Sequence, residues 1–171
     1  MMLLCPSGVA GTDTIANPTA IVLPNKTILL VYRYSTGVKH GAGEALAAFI
    51  ADRAEGPWHS VSPDLSSLQA EDPALYWTKR GLHLAAHQYN STYVFPNGTT
   101  ISVDYGDPRM ASGAHLFSED GVDWRTSEYA LYNNTVVFAN NTKVDMNYRE
   151  RPEVITDDSG TPIYLVSGVE W

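Results

Sequence analysis

The sequence predicts an all-β chain, a partial β-propeller of antiparallel four-stranded blades, and three observations predict it. Short apolar runs bounded by turn residues fill the chain. No stretch sustains a 3.6-residue apolar period with helix caps. One hairpin pattern recurs along the chain, as in a repeat architecture.

The apolar runs read as strands. They are Ile28 to Tyr32, Ala45 to Ala51, Leu82 to His87, Thr135 to Phe138 and Ile163 to Ser167. Pro24-Asn25, Arg80-Gly81, Asn97-Gly98 and Asp120-Gly121 punctuate them with turn chemistry. Gly43 to Ile50 is rich in alanine and is the one helix candidate. It is short and falls where the repeat expects a strand, so it is read as strand.

The repeat has three members. Asn17-Pro18 leads through Pro24-Asn25-Lys26-Thr27 to Arg33. Asp72-Pro73 leads through Thr78-Lys79-Arg80-Gly81 to His87. Arg151-Pro152 leads through Asp157-Asp158-Ser159-Gly160 to Gly168. Each reads polar residue, proline, apolar strand, tight turn, apolar strand. Proline is tolerated at a strand start because its missing N–H need not join the ladder. After the first two hairpins comes a further strand that runs into a turn and a tryptophan, Gly56-Pro57-Trp58 and Gly121-Val122-Asp123-Trp124. A hairpin, a third strand, a turn and an outer strand make one propeller blade. The boundaries are a first blade with its lead-in over 1–66, a second over 67–145 and the start of a third over 146–171. A closed propeller needs at least four blades, so the chain is expected to be a fragment of a longer propeller.

Composition narrows the partners. The net charge of −8 disfavours nucleic acid and anionic membrane, which attract basic patches. No apolar run approaches the roughly 20 residues of a membrane span. The single cysteine, Cys5, rules out an internal disulfide. No Gly-rich phosphate loop or Gly-x-Ser-x-Gly elbow is present, and His40, His59 and His83 have no metal-ligand spacing, so neither cofactor nor metal is expected. The Asn-x-Ser/Thr acceptor pattern occurs at Asn25, Asn90, Asn97, Asn133 and Asn140. Nine asparagines and 27 serines plus threonines in 171 residues give about 1.4 such patterns by chance. The excess points to N-glycosylation and an extracellular or secretory-pathway location. The plainer reading is that Asn and Thr crowd into turns.

These pieces resemble the five-bladed propeller glycoside hydrolases, the superfamily of glycoside hydrolase family 43, arabinanases, levansucrases and invertases. The matching segments are NPTAIVLPNKTILLVYR, EDPALYW, the GPW and SEDGVDW turns, and YRERPEVITDDSG. The resemblance covers nearly all of 16–171. It implies a carbohydrate substrate and cleavage of glycosidic bonds by carboxylate acid/base chemistry. In family 43, three carboxylates at the starts of successive inner strands serve as base, as tuner of the acid's pKa, and as acid. Carried over, Asp72 matches the tuning Asp and Glu150, in Glu150-Arg151-Pro152, matches the acid. The base position falls on Asn17, a departure, because an amide cannot take a proton from water at neutral pH. Three readings stand: the base comes from a blade outside this chain, the register is offset by one blade, or hydrolysis is lost and a non-catalytic carbohydrate-binding propeller remains. Family 43 members invert, but the stereochemical outcome depends on a carboxylate separation that sequence does not give.

Further candidates follow from the hairpin geometry. His87 ends the second strand of its hairpin, near Asp72, and His115 opens the next strand. Both are candidate sugar-binding residues, as are Asn17, Arg33 and Arg151. A structural histidine is the plain alternative for each. A polar residue before proline is also common in any strand-leading loop. Glu71 and Glu153 fit less well, since strand alternation points Glu71 away from Asp72. Trp58 and Trp124 read as packing residues of their turns.

Overall fold

The computed structural model describes residues 15–35, 44–62, 65, 69–94, 100–103, 112–127 and 129–170. Cys5, His40 and Asn97 lie outside them. The described residues contain strands and turns and no helix.

The first sheet runs β1 (Ile15–Val22), β2 (Ile28–Ser35), β3 (Glu44–Ala51) and β4 (His59–Ser62), each antiparallel to the next. The second contains β5 (Gln69–Thr78), β6 (Gly81–Val94), β8 (Ser112–Ser118) and β9 (Arg125–Thr126), with β7 (Thr100–Val103) on the far part of β6. Two hairpins follow, β10 (Thr135–Val137) with β11 (Lys143–Asp145), and β12 (Tyr148–Thr156) with β13 (Pro162–Glu170). All pairings are antiparallel. The alanine-rich segment is therefore strand. Its eight-residue pairing with β2, from Ile28↔Ala51 to Ser35↔Glu44, buries small side chains between flanking apolar ones. Tertiary burial overrides the helix propensity of alanine there.

The sheets pack face to face. Leu29 and Val31 of β2, Leu46 and Ala48 of β3, Leu82, Leu84 and Ala86 of β6, and Leu116 of β8 form the main core. Strand alternation supplies these residues from one face of each strand. The opposite face of β6 carries His83, Ala85 and His87. On that side Ala74, Tyr76 and Ala85 pack against Val154 of β12. The second sheet therefore lies between the first sheet and the last hairpin. Trp77 and Trp124 pack against the main core, and Trp58 packs beside Tyr32 and Phe49 of the first sheet.

Local turn chemistry ends the hairpins. In the β1–β2 turn Leu23 N–H donates to Thr27 O at 2.8 Å, and Lys26 is left-handed at φ 74°. The β10–β11 and β12–β13 turns repeat this with Asn141 at φ 66° and Gly160 at φ 76°. Each places one left-handed residue late in the loop, as three- and four-residue hairpin loops require. In the Ser118–Trp124 turn, Gly121 at φ 81° donates to Ser118 Oγ, and Trp124 Nε1 donates to Gly121 O at 3.0 Å. Gly113 is required for space. A Cβ there would lie 2.3 Å from the Tyr132 ring.

Candidate functional site

Three hairpins share one backbone irregularity. In β1–β2 the register runs Ala16↔Arg33, then Thr19↔Val31. In β5–β6 it runs Glu71↔His87, then Ala74↔Ala85. In β12–β13 it runs Glu150↔Gly168, then Glu153↔Val166. Each inner strand therefore carries one extra residue at its X-Pro pair. The residue before proline is left-handed in all three, at φ 53° for Asn17, 50° for Asp72 and 53° for Arg151. Non-glycine residues rarely adopt this region, and Asn and Asp tolerate it best. Such bulges re-aim side chains and recur beside active sites.

The bulges bring the candidates together. One side-chain ligand atom from each of Glu71, Asp72, His87 and Glu150 lies within 4.8 Å of the others. Asn17 Nδ2 donates to Asp72 Oδ1, so the first hairpin reaches the same point. Thr19 Oγ1 accepts from Leu75 N–H at 3.2 Å, which ties the inner strands of the two sheets together. Arg33 pairs with buried Glu44, and its Nε lies 3.9 Å from Glu71 Oε2. His87 Nδ1 lies 3.5 Å from Glu71 Oε1. Arg151 Nε lies 3.7 Å from Glu150 Oε1, on the open side of the cluster.

Charge crowding shows in Asp72. Burial first, then the Glu71 carboxylate, push its carboxyl above the ordinary value. Arg151 and His87 pull it down, and Glu150 raises it again. Asp72 is 9% exposed, whereas the Glu150 side chain is 36% exposed. Asp72 lies at the floor and Glu150 at the mouth. The site can thus hold a proton on a buried carboxyl beside a second, accessible one.

Of the sequence candidates, Asn17, Arg33, Asp72, His87, Glu150 and Arg151 converge here. His115 does not. It pairs across from Ala85, and its Nε2 lies 3.0 Å from His83 Nδ1, in the layer facing the last hairpin. Position along the strand decides this: His115 shares a face with His83, Ala85 and His87, but it stands two residues along β8 from Gly113, the partner of His87, and its ring stacks on His83. The expectation that Glu71 points away from Asp72 is corrected. The extra residue at Asp72-Pro73 breaks the two-residue alternation and leaves both carboxylates on the cluster. A signal for Glu71 was present in the sequence. Glu71-Asp72-Pro73 has the same Glu-x-Pro form as Glu150-Arg151-Pro152.

The histidine pair makes a separate prediction. Thr78 Oγ1 contacts His83 Nε2 at 2.8 Å, so both nitrogens of His83 are engaged. Burial, then His115, then Arg80 lower the His83 pKa below 6.5, and burial lowers that of His115. The stacked Tyr76 phenol is pushed up to about 12 and stays neutral. Above pH 6.5 the pair is neutral in folded and unfolded chains, and its contribution is fully present. Below 6.5 the unfolded chain takes up protons that the folded chain resists, so stability is lost towards the folded pKa. Asp72 has a raised pKa and works in the opposite direction, so the difference between variants is the informative quantity. Thermal melts from pH 7.5 to 5.0 are expected to show a shallower acid loss in His115→Phe than in the parent chain. Equal slopes would refute a role for the pair.

Asn25, Asn133 and Asn140 are exposed, and each Oδ1 accepts from the N–H of its threonine two residues on, at 3.1, 3.0 and 3.0 Å. The Asn90 side chain is outside the described residues. No protein-family model matches the chain, and no curated protein matches it.

Proposed function

We propose that the two four-stranded sheets and the β12–β13 hairpin are successive blades of a β-propeller, and that the chain carries a glycoside hydrolase site at their bulged ends. The observation that carries this reading is the convergence of Glu71, Asp72, His87 and Glu150 within 4.8 Å, from two separate hairpins. Glu150, at the mouth, donates the proton to the departing glycosidic oxygen. Asp72, buried beside it, tunes that acid. Two carboxylates facing one sugar are the minimum equipment for glycosidic cleavage.

The Asn17–Asp72 hydrogen bond favours a second reading, carbohydrate binding without turnover, because an amide stands where family 43 has its base. Reducing-end release from a glycan panel, followed by calorimetry on the same panel, separates the two. Turnover that depends on Glu150 supports the hydrolase, and heat of binding with no turnover supports the binding module.

N-glycosylation and secretion are proposed with the same reading, supported by the acceptor excess and by three exposed acceptors. After expression through a eukaryotic secretory pathway, peptide N-glycosidase is expected to convert Asn25, Asn133 and Asn140 to Asp. If mass spectrometry finds no conversion at any of the three, the glycosylation proposal fails.

A further inference from the structure

The three bulged hairpins turn matching register positions to the same side. Counted from the bulge, Thr19↔Val31 and Ile21↔Leu29 in the first match Ala74↔Ala85 and Tyr76↔His83 in the second. In the third the matching pairs are Glu153↔Val166 and Ile155↔Tyr164. Leu29 and Val31 of the first hairpin are buried against Leu82 and Leu84 of the second sheet. Ala74, Tyr76 and Ala85 of the second are buried against Val154 of the third. In the third hairpin the same positions lie open. Ile155 is 47% exposed, Tyr164 65% and Val166 50%.

An open apolar sheet face is one half of a sheet-on-sheet contact. Both earlier instances on this chain are closed by another hairpin of the same pattern. The opposite faces of the hairpins are taken. Leu75 and Trp77 of β5 pack back on the first sheet, and Val154 of β12 packs back on the second. Leu30, Tyr32, Ala47 and Phe49, on the far side of the first sheet, are already buried. The other exposed large apolar side chains are spread over β1, β8, β10 and the turns. A second copy therefore has one apolar sheet face to offer, the same one. Contact through it is isologous, each copy giving the patch that it receives.

We propose that two copies of this chain associate through the open face of β12–β13. Ile155, Tyr164 and Val166 of each pack on the same residues of the other about a two-fold axis. This does not rest on the hydrolase reading. Glu153 shares the face, and a carboxylate is costly to cover, so the association is weak and reversible. Near its dissociation constant such a contact adds little to stability, so mass reports it better than melting does.

The test is sedimentation velocity of the whole chain over a wide concentration series. A rise from the 18.7 kDa monomer to twice that mass, and no further, is expected. Val166→Lys places an ammonium across from Glu153, where the monomer accommodates it, but two copies then bring charge into the contact. It is expected to raise the dissociation constant by more than about tenfold, with an unchanged circular dichroism spectrum. Val137→Lys, at an exposed position of β10, should leave association unchanged. In the wild-type chain, nitration of Tyr164 by tetranitromethane should fall as the dimer forms, while nitration of exposed Tyr129 stays constant. That readout needs no variant. A monomer at every concentration overturns the proposal, and if it binds a hydrophobic dye at this face, the face serves another occupant. Open-ended growth beyond the dimer, or a dimer with Tyr164 still fully reactive, overturns it as well.

Discussion

Glu150→Gln is expected to lower hydrolysis of natural glycosides by about 10²–10⁴-fold, the usual contribution of a general acid. Glutamine keeps the size of the side chain but has no proton to give a departing alkoxide. The loss should be much smaller for the first cleavage of 2,4-dinitrophenyl glycosides, whose leaving group departs without protonation. That contrast separates an acid from a residue that merely shapes the pocket. The fold should tolerate the change. The side chain is 36% exposed, and its charged neighbour Arg151 is 71% exposed, so their ion pair adds little to stability. A melting temperature within a few degrees of the parent, with activity lost on natural glycosides only, is the expected pair of results. Full activity of Glu150→Gln on natural glycosides would remove Glu150 from the acid role.

Leu84→Ala is expected to destabilise the fold by about 2–5 kcal/mol, the range for emptying a buried leucine site. Leu84 is fully buried in the main core, in the same cluster as Leu29, Val31, Leu46, Leu82 and Leu116. The lost methine and two methyl groups belong to the contact between the two sheets, so the cavity falls in the layer that joins them. Against a total of about 5–15 kcal/mol this is a large fraction. For a chain of this size it corresponds to a fall of roughly 4–20 °C in Tm by differential scanning calorimetry. Val166→Ala on the exposed face of β13 is the control and should shift Tm little, since Val166 is 50% exposed. A loss below 2 °C in Leu84→Ala would show that the first and second sheets do not share one cooperative core.

Much of the architecture was legible in single residues. Four of the five apolar runs fall within β2, β3, β6 and β13, and Thr135 to Phe138 runs one residue past β10. In β2, β3 and β6 burial writes itself into the sequence, whereas β10 and β13 keep apolar side chains exposed. The Trp58 and Trp124 turns each precede the outer strand of their sheet, β4 and β9. Even the bulge sites were marked, as the three X-Pro pairs at Asn17, Asp72 and Arg151.

What the chain determined alone is what depends on neighbours in sequence. Hairpins close where Asn25, Asp157 and Gly160 supply turn geometry, and strands form where apolar residues can be buried. The tertiary structure decided which side chains meet. Strand alternation predicts that Glu71 and Asp72 part, and only the left-handed Asp72 in its bulge keeps both on the cluster. His115 meets His83 instead, because it pairs with Ala85, two residues along β8 from the partner of His87. Asn17 meets Asp72 from 55 residues away, and Glu150 arrives from another hairpin. These contacts are set by the packing of one hairpin against the next, a through-space relation that local propensity and periodicity do not contain.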